Sequence, residues 1–350
     1  MKRRYRYWMI AAAAPAVVVA GLAGLAGPPA YAAYTPLPAH VYAPYYETYL
    51  APNTASLTAT AQASGVKYFS LAFLQATARN SCSINWNSNA SQPLSYYNSD
   101  IASLRALGGD VIPTFGGYSA DHGGTEIADT CTNVNSIAAD YESVITTLGV
   151  TRLDMDVESS SLNNTAGIDR RNQALAIVQQ WAAAQSPPIP LQVSYTIPVE
   201  QYGLDPNGEA VLQSAVANGV KVTTVNIMVF DYYIAKEGTV QMGQAAINAA
   251  NNTNTQLQSI FGVTSQQAYA MEGMTLLPGI DDRKQKNEVT YEPDATTMLN
   301  FAEANNLNFL SIWAIQRDNG GCPGSVDSNT CSGITQNTWD FSHILEPFTG

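Results

Sequence analysis

Between residues 40 and 315, short runs rich in β-branched and aromatic residues alternate with longer stretches whose apolar residues recur at helical spacing. Eight runs read as strands: 40–46, 67–74, 110–115, 152–158, 191–197, 223–231, 268–277 and 309–315. Between them, Val134, Ile137, Val144, Ile145 and Leu148 keep to one face of a helix, and Leu175, Val178 and Trp181 do so in the next. Alanine-rich stretches at 54–63, 208–218 and 242–259 supply further helices. Eight strands alternating with helices predict an α/β protein, and 350 residues suit a single-domain (β/α)8 TIM barrel. A doubly wound open sheet is the alternative, but no G-x-G-x-x-G or phosphate-binding loop follows an early strand.

The first residues break this rhythm. Lys2, Arg3, Arg4 and Arg6 form a basic start, 9–25 is apolar, and Ala30-Tyr31-Ala32 supplies a small-x-small cleavage pattern. Residues 1–32 therefore read as a signal peptide, with 33–350 as the barrel domain of a secreted, extracellular protein. An uncleaved membrane anchor is the competing reading, since the apolar stretch is nearly long enough to span a bilayer. Arg3-Arg4 hints at twin-arginine export.

Loss of the four basic residues takes the formal charge from −12 to −16. A chain this acidic repels nucleic-acid phosphates and anionic membranes, and is compatible with a neutral polysaccharide. Its 46% hydrophobic and 13% charged residues allow a sizeable core and argue against disorder. The four cysteines, Cys82, Cys131, Cys322 and Cys331, suggest two disulfides in an exported chain. A local Cys322–Cys331 loop with a Cys82–Cys131 bridge is one of three connectivities. Zinc is disfavoured, because no C-x-x-C pair occurs and His40, His122 and His343 are scattered.

The fourth strand carries the chemistry. In Thr151-Arg152-Leu153-Asp154-Met155-Asp156-Val157-Glu158, three carboxylates alternate with three apolar residues. Acidic residues are depleted in strands. At period 2 these three share one face, roughly 6–7 Å apart, while Leu153, Met155 and Val157 face the helices. Partly desolvated like charges at that range raise at least one pKa, as a general acid working near neutral pH requires. Glu158, last in the row, would lie at the barrel mouth. A solvated edge strand or a divalent-cation site would also account for the spacing.

Asp154-x-Asp156-x-Glu158 resembles the D-x-x-D-x-D-x-E signature of glycoside hydrolase family 18, the chitinases and their relatives. Thr114-Phe115-Gly116-Gly117 looks like the S-x-G-G segment after the family's third strand, and Met228-Val229-Phe230-Asp231 like its M-x-Y-D segment. Phe69-Ser70-Leu71-Ala72-Phe73 looks like the second strand of bacterial chitinases, and Trp313 falls where the family places a tryptophan under the reactive sugar. Thr151 and Arg152 depart from the signature at positions that look structural. Phe230 replaces a tyrosine that steadies the acetamido group in many relatives, a task that Tyr195 or Tyr232 could assume.

The resemblance implies a retaining, substrate-assisted glycosidase. Glu158 would protonate the glycosidic oxygen, Asp156 would hold the acetamido N–H, and Asp154 would share charge or a proton with Asp156. Asp231 would orient the acetamido group or Glu158. Gly116 and Gly117 would let backbone and ligand approach closely, and Met228 would pack in the barrel or line the cleft. Trp313 would be the main sugar platform, with Trp86 and Tyr118 as loop candidates. The implied partner is chitin or an N-acetylglucosamine-containing oligosaccharide, bound by a monomer without cofactor or metal. An endo-β-N-acetylglucosaminidase acting on glycoprotein glycans shares the same signature. A binding protein that has lost catalysis would more often lack the terminal Glu. A metal-dependent hydrolase would need further ligands.

Overall fold

The computed structural model describes residues 34–50, 53–233, 241–281, 288–326 and 328–350. The expected signal peptide at 1–32 lies outside the described residues. Eight parallel staves form the barrel: β1, in two pieces, Val41–Tyr42 and Tyr45–Glu47; β2, Tyr68–Ala76; β3, Asp110–Gly116; β4, Arg152–Asp156; β5, Gln192–Pro198; β6, Thr224–Met228; β7, Glu272–Leu276; and β8, Phe309–Ile312. Each pairs in parallel with its neighbour, and β1 closes the ring by pairing with β8 through its first piece and β2 through its second. The break falls at Pro44, which has no N–H to give. The Ala43 N–H still donates to Leu310 on β8 at 2.9 Å, while the Pro44 carbonyl accepts from Ser70 on β2 at 3.0 Å.

The intervening helices are α1, Leu57–Ser64; α2, Asn98–Ala106; α3, Val134–Leu148; α4, Thr165–Ala183; α5, Pro206–Ala217; α6, Met242–Phe261; α7, Glu292–Asn305; and α8, Asp340–Leu345. Local chemistry sets their ends. Asn133 accepts the Ser136 N–H at 3.1 Å to start α3, and Gly149, at φ +65°, ends it.

All eight predicted runs overlap a stave, but four extend too far. The 152–158 run leaves the ladder after Val157, whose N–H makes a last bond to Thr196, because Ser159 turns at φ +47°. The 223–231 run leaves after Val229, and Asp231 turns at φ +57°. The start of 268–277 is helical, since Thr264 and Gln267 form a capping box for the helix Ser265–Tyr269. The end of 309–315 passes into the 3-10 turn Ile315–Arg317.

Strand parity sorts the core. Leu153, Met155, Val157, Val193, Tyr195 and Ile197 join Ile137, Tyr141, Val144, Ile145 and Leu148 of α3 in one buried cluster behind the barrel wall. Each such aliphatic side chain contributes about 1.5–3 kcal/mol by leaving water. Inside the barrel, Leu37, Val41, Ala43, Ile112 and Phe309 make an apolar floor, with Arg152 set 5.9 Å over the Phe309 ring. Polar residues fill the middle, and an aromatic group of Tyr45, Phe73 and Trp313 lies near the mouth. Two disulfides, Cys82–Cys131 and Cys322–Cys331, select one of the three possible connectivities. Among the described residues no helix is long and apolar enough to cross a membrane.

Glu272 stands out on β7. It is fully buried, neither carboxylate oxygen has a hydrogen-bond partner among the described residues, and burial pushes its carboxyl well above the usual range. The unfolded chain releases this proton near pH 4.5 and the folded chain holds it to higher pH, so stability falls as pH rises between the two values. Glu272→Met removes that penalty. Its Tm is expected to exceed wild type by about 2–4 °C near pH 8, with the gain shrinking toward pH 4. A variant less stable at both pH values would show that the carboxyl contributes a contact.

Candidate active site

The register of β3, β4 and β5 assembles the site. Asp154 lies between Thr114 and Ser194, and Asp156 between Gly116 and Thr196. Asp154 is buried and accepts from the Ser194 hydroxyl at 2.7 Å, the Tyr45 hydroxyl at 3.0 Å and the Thr196 hydroxyl at 3.1 Å. Burial still pushes its carboxyl up against these hydrogen bonds. Below it, Asn226 donates to Thr196 at 3.0 Å and to Thr275 at 2.7 Å, which locks the middle layer.

Asp156 is more exceptional. It is buried, and its Oδ1 has no hydrogen-bond partner among the described residues. Burial, then the charges of Glu158, Asp154 and Asp121, push its carboxyl well above the usual range. Burial and like charge thus raise a carboxyl of the row, the direction its spacing predicts. Glu158 lies past the end of β4 and is half-buried at the mouth.

The two glycines bring β3 against this row. A Cβ on Gly116 would lie 2.1 Å from the Asp156 carbonyl oxygen, and one on Gly117 would lie 2.5 Å from the Phe73 ring. Both have positive φ, at +92° and +81°, which a side chain would also strain. Trp313 is half-buried, stacked on Phe73 at 5.4 Å and edge-on to Tyr45 at 5.3 Å. Tyr45 in turn touches Asp154, so the aromatic group adjoins the acids. Met228 is buried at the end of β6, and Phe230 and Asp231 follow half-buried, with the Asp231 N–H donating to Asp281 at 3.0 Å.

Three expected site residues lie elsewhere. Tyr195 has the parity of Val193 and Ile197, so it points through the outer wall, where its hydroxyl donates to Asn172 of α4. Tyr232 is buried in the main core, with Glu288 and Glu200 as its acidic neighbours in place of the acidic row. Trp86 is fully buried, donating to the Leu94 carbonyl at 3.2 Å and packing edge-on against Tyr97. Tyr118 is 61% exposed and stacks on His122, so it remains available as a platform.

Two residues at the site escaped the sequence reading. Tyr45 brings a tyrosine hydroxyl to the acidic row; its odd-numbered parity with Val41 and Ala43 was the available signal. Asp121, from the short helix Tyr118–Gly123 after β3, accepts the Glu158 backbone N–H at 2.5 Å and has no motif to mark it. Behind this loop, Glu126 and Arg171 form a fully buried ion pair at 3.0 Å. A cleft of about 520 Å³ lies beside it, lined by Arg79, Asp121, His122, Asp129, Ser160 and Asn164 but not by Asp154, Asp156, Glu158 or Trp313. Among the described residues no group of three His, Cys, Asp or Glu side chains is arranged to hold a metal ion.

A closed parallel barrel thus carries acidic side chains at the end of β4, beside an aromatic group near its mouth. No protein-family model matches the chain. It is 34% identical over 324 residues to a probable bifunctional chitinase/lysozyme of Escherichia coli (strain K12), covering 89% of this chain and 35% of that protein. It is also 34% identical over 290 residues to endochitinase 11 of Metarhizium anisopliae, covering 80% of this chain and 53% of that protein. The chain thus spans about a third to a half of the length of these curated relatives. Active domain 2 of the Pyrococcus furiosus chitinase superposes with a TM-score of 0.77 at 28% identity, over 90% of this chain and 97% of that one. The same domain complexed with chito-oligosaccharides gives 0.77 at 27%, over 91% and 97%. The chain is thus chitinase-like in sequence and in fold.

Proposed function

We propose that the chain hydrolyses β-1,4-linked N-acetylglucosamine polymers, chitin and chito-oligosaccharides, by a retaining, substrate-assisted mechanism. The observation that carries this reading is Asp156, a buried carboxyl held between Asp154 and Glu158 with one oxygen left unbonded. Glu158 gives its proton to the glycosidic oxygen as the bond to the anomeric carbon breaks. The substrate's 2-acetamido carbonyl oxygen closes on that carbon, so no protein carboxylate attacks. Asp156 accepts the acetamido N–H and offsets the positive charge that develops on the ring so formed. Asp154, steadied by Tyr45, Ser194 and Thr196, keeps Asp156 from carrying a full second charge until substrate arrives. Glu158, now a carboxylate, then takes a proton from the water that attacks the anomeric carbon, and the bond from that carbon to the acetamido oxygen breaks.

The Pyrococcus chitinase domain bound to chito-oligosaccharides supports the substrate class. The two disulfides support action outside the cell after removal of residues 1–32. A chito-oligosaccharide digest followed by proton NMR is expected to give the β-anomer first, and a fully deacetylated oligosaccharide is expected to resist cleavage. Initial release of the α-anomer, or equal cleavage of the deacetylated chain, would overturn the mechanism.

A further inference from the structure

Asp121 is a buried carboxyl at the barrel mouth to which the proposed chemistry gives no task. Its position follows from Gly116-Gly117. The Gly117 N–H donates to the Asp156 carbonyl at 3.2 Å, and the Gly117 carbonyl accepts from Ala120 and Asp121 at 2.9 and 3.0 Å. The glycines thereby start the helix Tyr118–Gly123 hard against the end of β4. Asp121 then grips the loop carrying Glu158 on both sides of that residue. Its Oδ2 accepts the Glu158 N–H at 2.5 Å, and its backbone carbonyl accepts the Ser160 hydroxyl. Between these holds, Ser159 occupies the left-handed region at φ +47°, and the Glu158 carbonyl accepts from Ser161 at 3.0 Å. The turn is tight and one residue spans it.

The other oxygen, Oδ1, is buried without a hydrogen-bond partner among the described residues. A side chain needed only to hold the Glu158 N–H would not require a second buried, unbonded oxygen, which costs free energy. The titratable groups around Asp121 are Glu126, at the start of the helix Ile127–Thr130, Arg171 of α4, Asp156 and Glu158 at the end of β4, and, lining the cleft beside it, Arg79, His122 and Asp129.

We propose that Asp121 is a positioning residue for Glu158: its side chain fixes the backbone from which the acid reaches the scissile bond, and its charge acts on the acid. The inference rests on Glu158 being the acid. Burial, with Glu126 next, pushes the Asp121 carboxyl well above the usual range. A negative charge there opposes the ionisation of Glu158 and keeps it protonated to higher pH.

The test is the pH profile of kcat/KM on a chito-oligosaccharide for the wild type, Asp121→Asn and Asp121→Ala, beside Glu158→Gln. Asn keeps an acceptor for the N–H and loses the charge, so its alkaline limb is expected to move down by about half a pH unit. Ala loses both, and its kcat is expected to fall on the order of 10–100-fold with KM little changed, while Asn recovers much of that loss. An alkaline limb unmoved in Asp121→Asn overturns the inference, and this readout suffices if the Ala variant fails to fold. Wild-type kcat in a folded Ala variant overturns it equally. Activity retained by Glu158→Gln is a different failure, because it removes the acid itself and the inference with it.

Discussion

Glu158→Gln is expected to lower kcat on chito-oligosaccharides by roughly 10²–10⁴-fold while leaving substrate affinity within a few-fold of wild type. Gln has nearly the volume of Glu and keeps an oxygen in place, but has no proton of the required acidity. Glu158 is half-buried at the mouth and carries no part of the core, so Tm is expected to stay within about 2 °C. Initial rates and ligand-induced tryptophan fluorescence on the same preparation check both halves, Trp313 being the reporter beside the acids. Equal rates would sink the acid assignment. Loss of binding together with rate would instead assign Glu158 to holding the sugar.

The largest expected effect on stability comes from a residue that touches no substrate. Arg171→Met is expected to cost about 3–5 kcal/mol and lower Tm by about 10 °C. Arg171 and Glu126 are each only 1% exposed and lie 3.0 Å apart, with Asp129 a further 4.0 Å partner of the guanidinium. Burial pushes Glu126 up, and Arg171 opposes that shift; without the guanidinium, Glu126 rises further. The unfolded chain releases that proton near pH 4.5 and the folded variant holds it, so the deficit grows as pH rises from there and shrinks toward acid. Melts at about pH 4.5 and about pH 8 test the sign. The double variant Arg171→Met/Glu126→Met is expected to regain most of the loss, since the cost lies in a stranded charge. A double variant no better than the single would place the cost in packing. The pair also backs the Glu158 loop through Asp129, which accepts the Ser161 hydroxyl and the Asn164 amide. Activity is therefore expected to fall in step with stability.

Alternation made much of this legible in advance. Period 2 in β4 separates Asp154 and Asp156 from Leu153, Met155 and Val157, and those two sets lie inside and outside the barrel wall. Parity would have placed Tyr195 outside as well, because Val193 and Ile197 flank it while Ser194 and Thr196 alternate with it. Analogy with a missing tyrosine overrode that signal. Tyr232 and Trp86 were beyond reach for another reason. Both lie past the regular part of a strand or on the short Ile84–Trp86 strand, where no period fixes direction. Asp121 depends on two glycines bending the chain back onto β4, a tertiary event with no local pattern. Glu126 and Arg171 find each other across 45 positions only once α4 docks, and nothing in either neighbourhood announces a partner.

The seam between the first and last staves has a consequence for how the molecule is made. Val41 pairs with Phe309, His40 contacts the Leu307 carbonyl at 2.6 Å, and the Tyr42 N–H reaches Thr349 at 2.9 Å, 307 positions away. The ring closes only when almost all of the chain is present, and the entropy of joining such distant segments must be met before their contacts repay it. A growing chain therefore has two unpaired sheet edges, at β1 and at whichever stave was made last. Synthesis leaves those edges open to other chains until β8 arrives, and shortening either end of the barrel would restore that open state permanently.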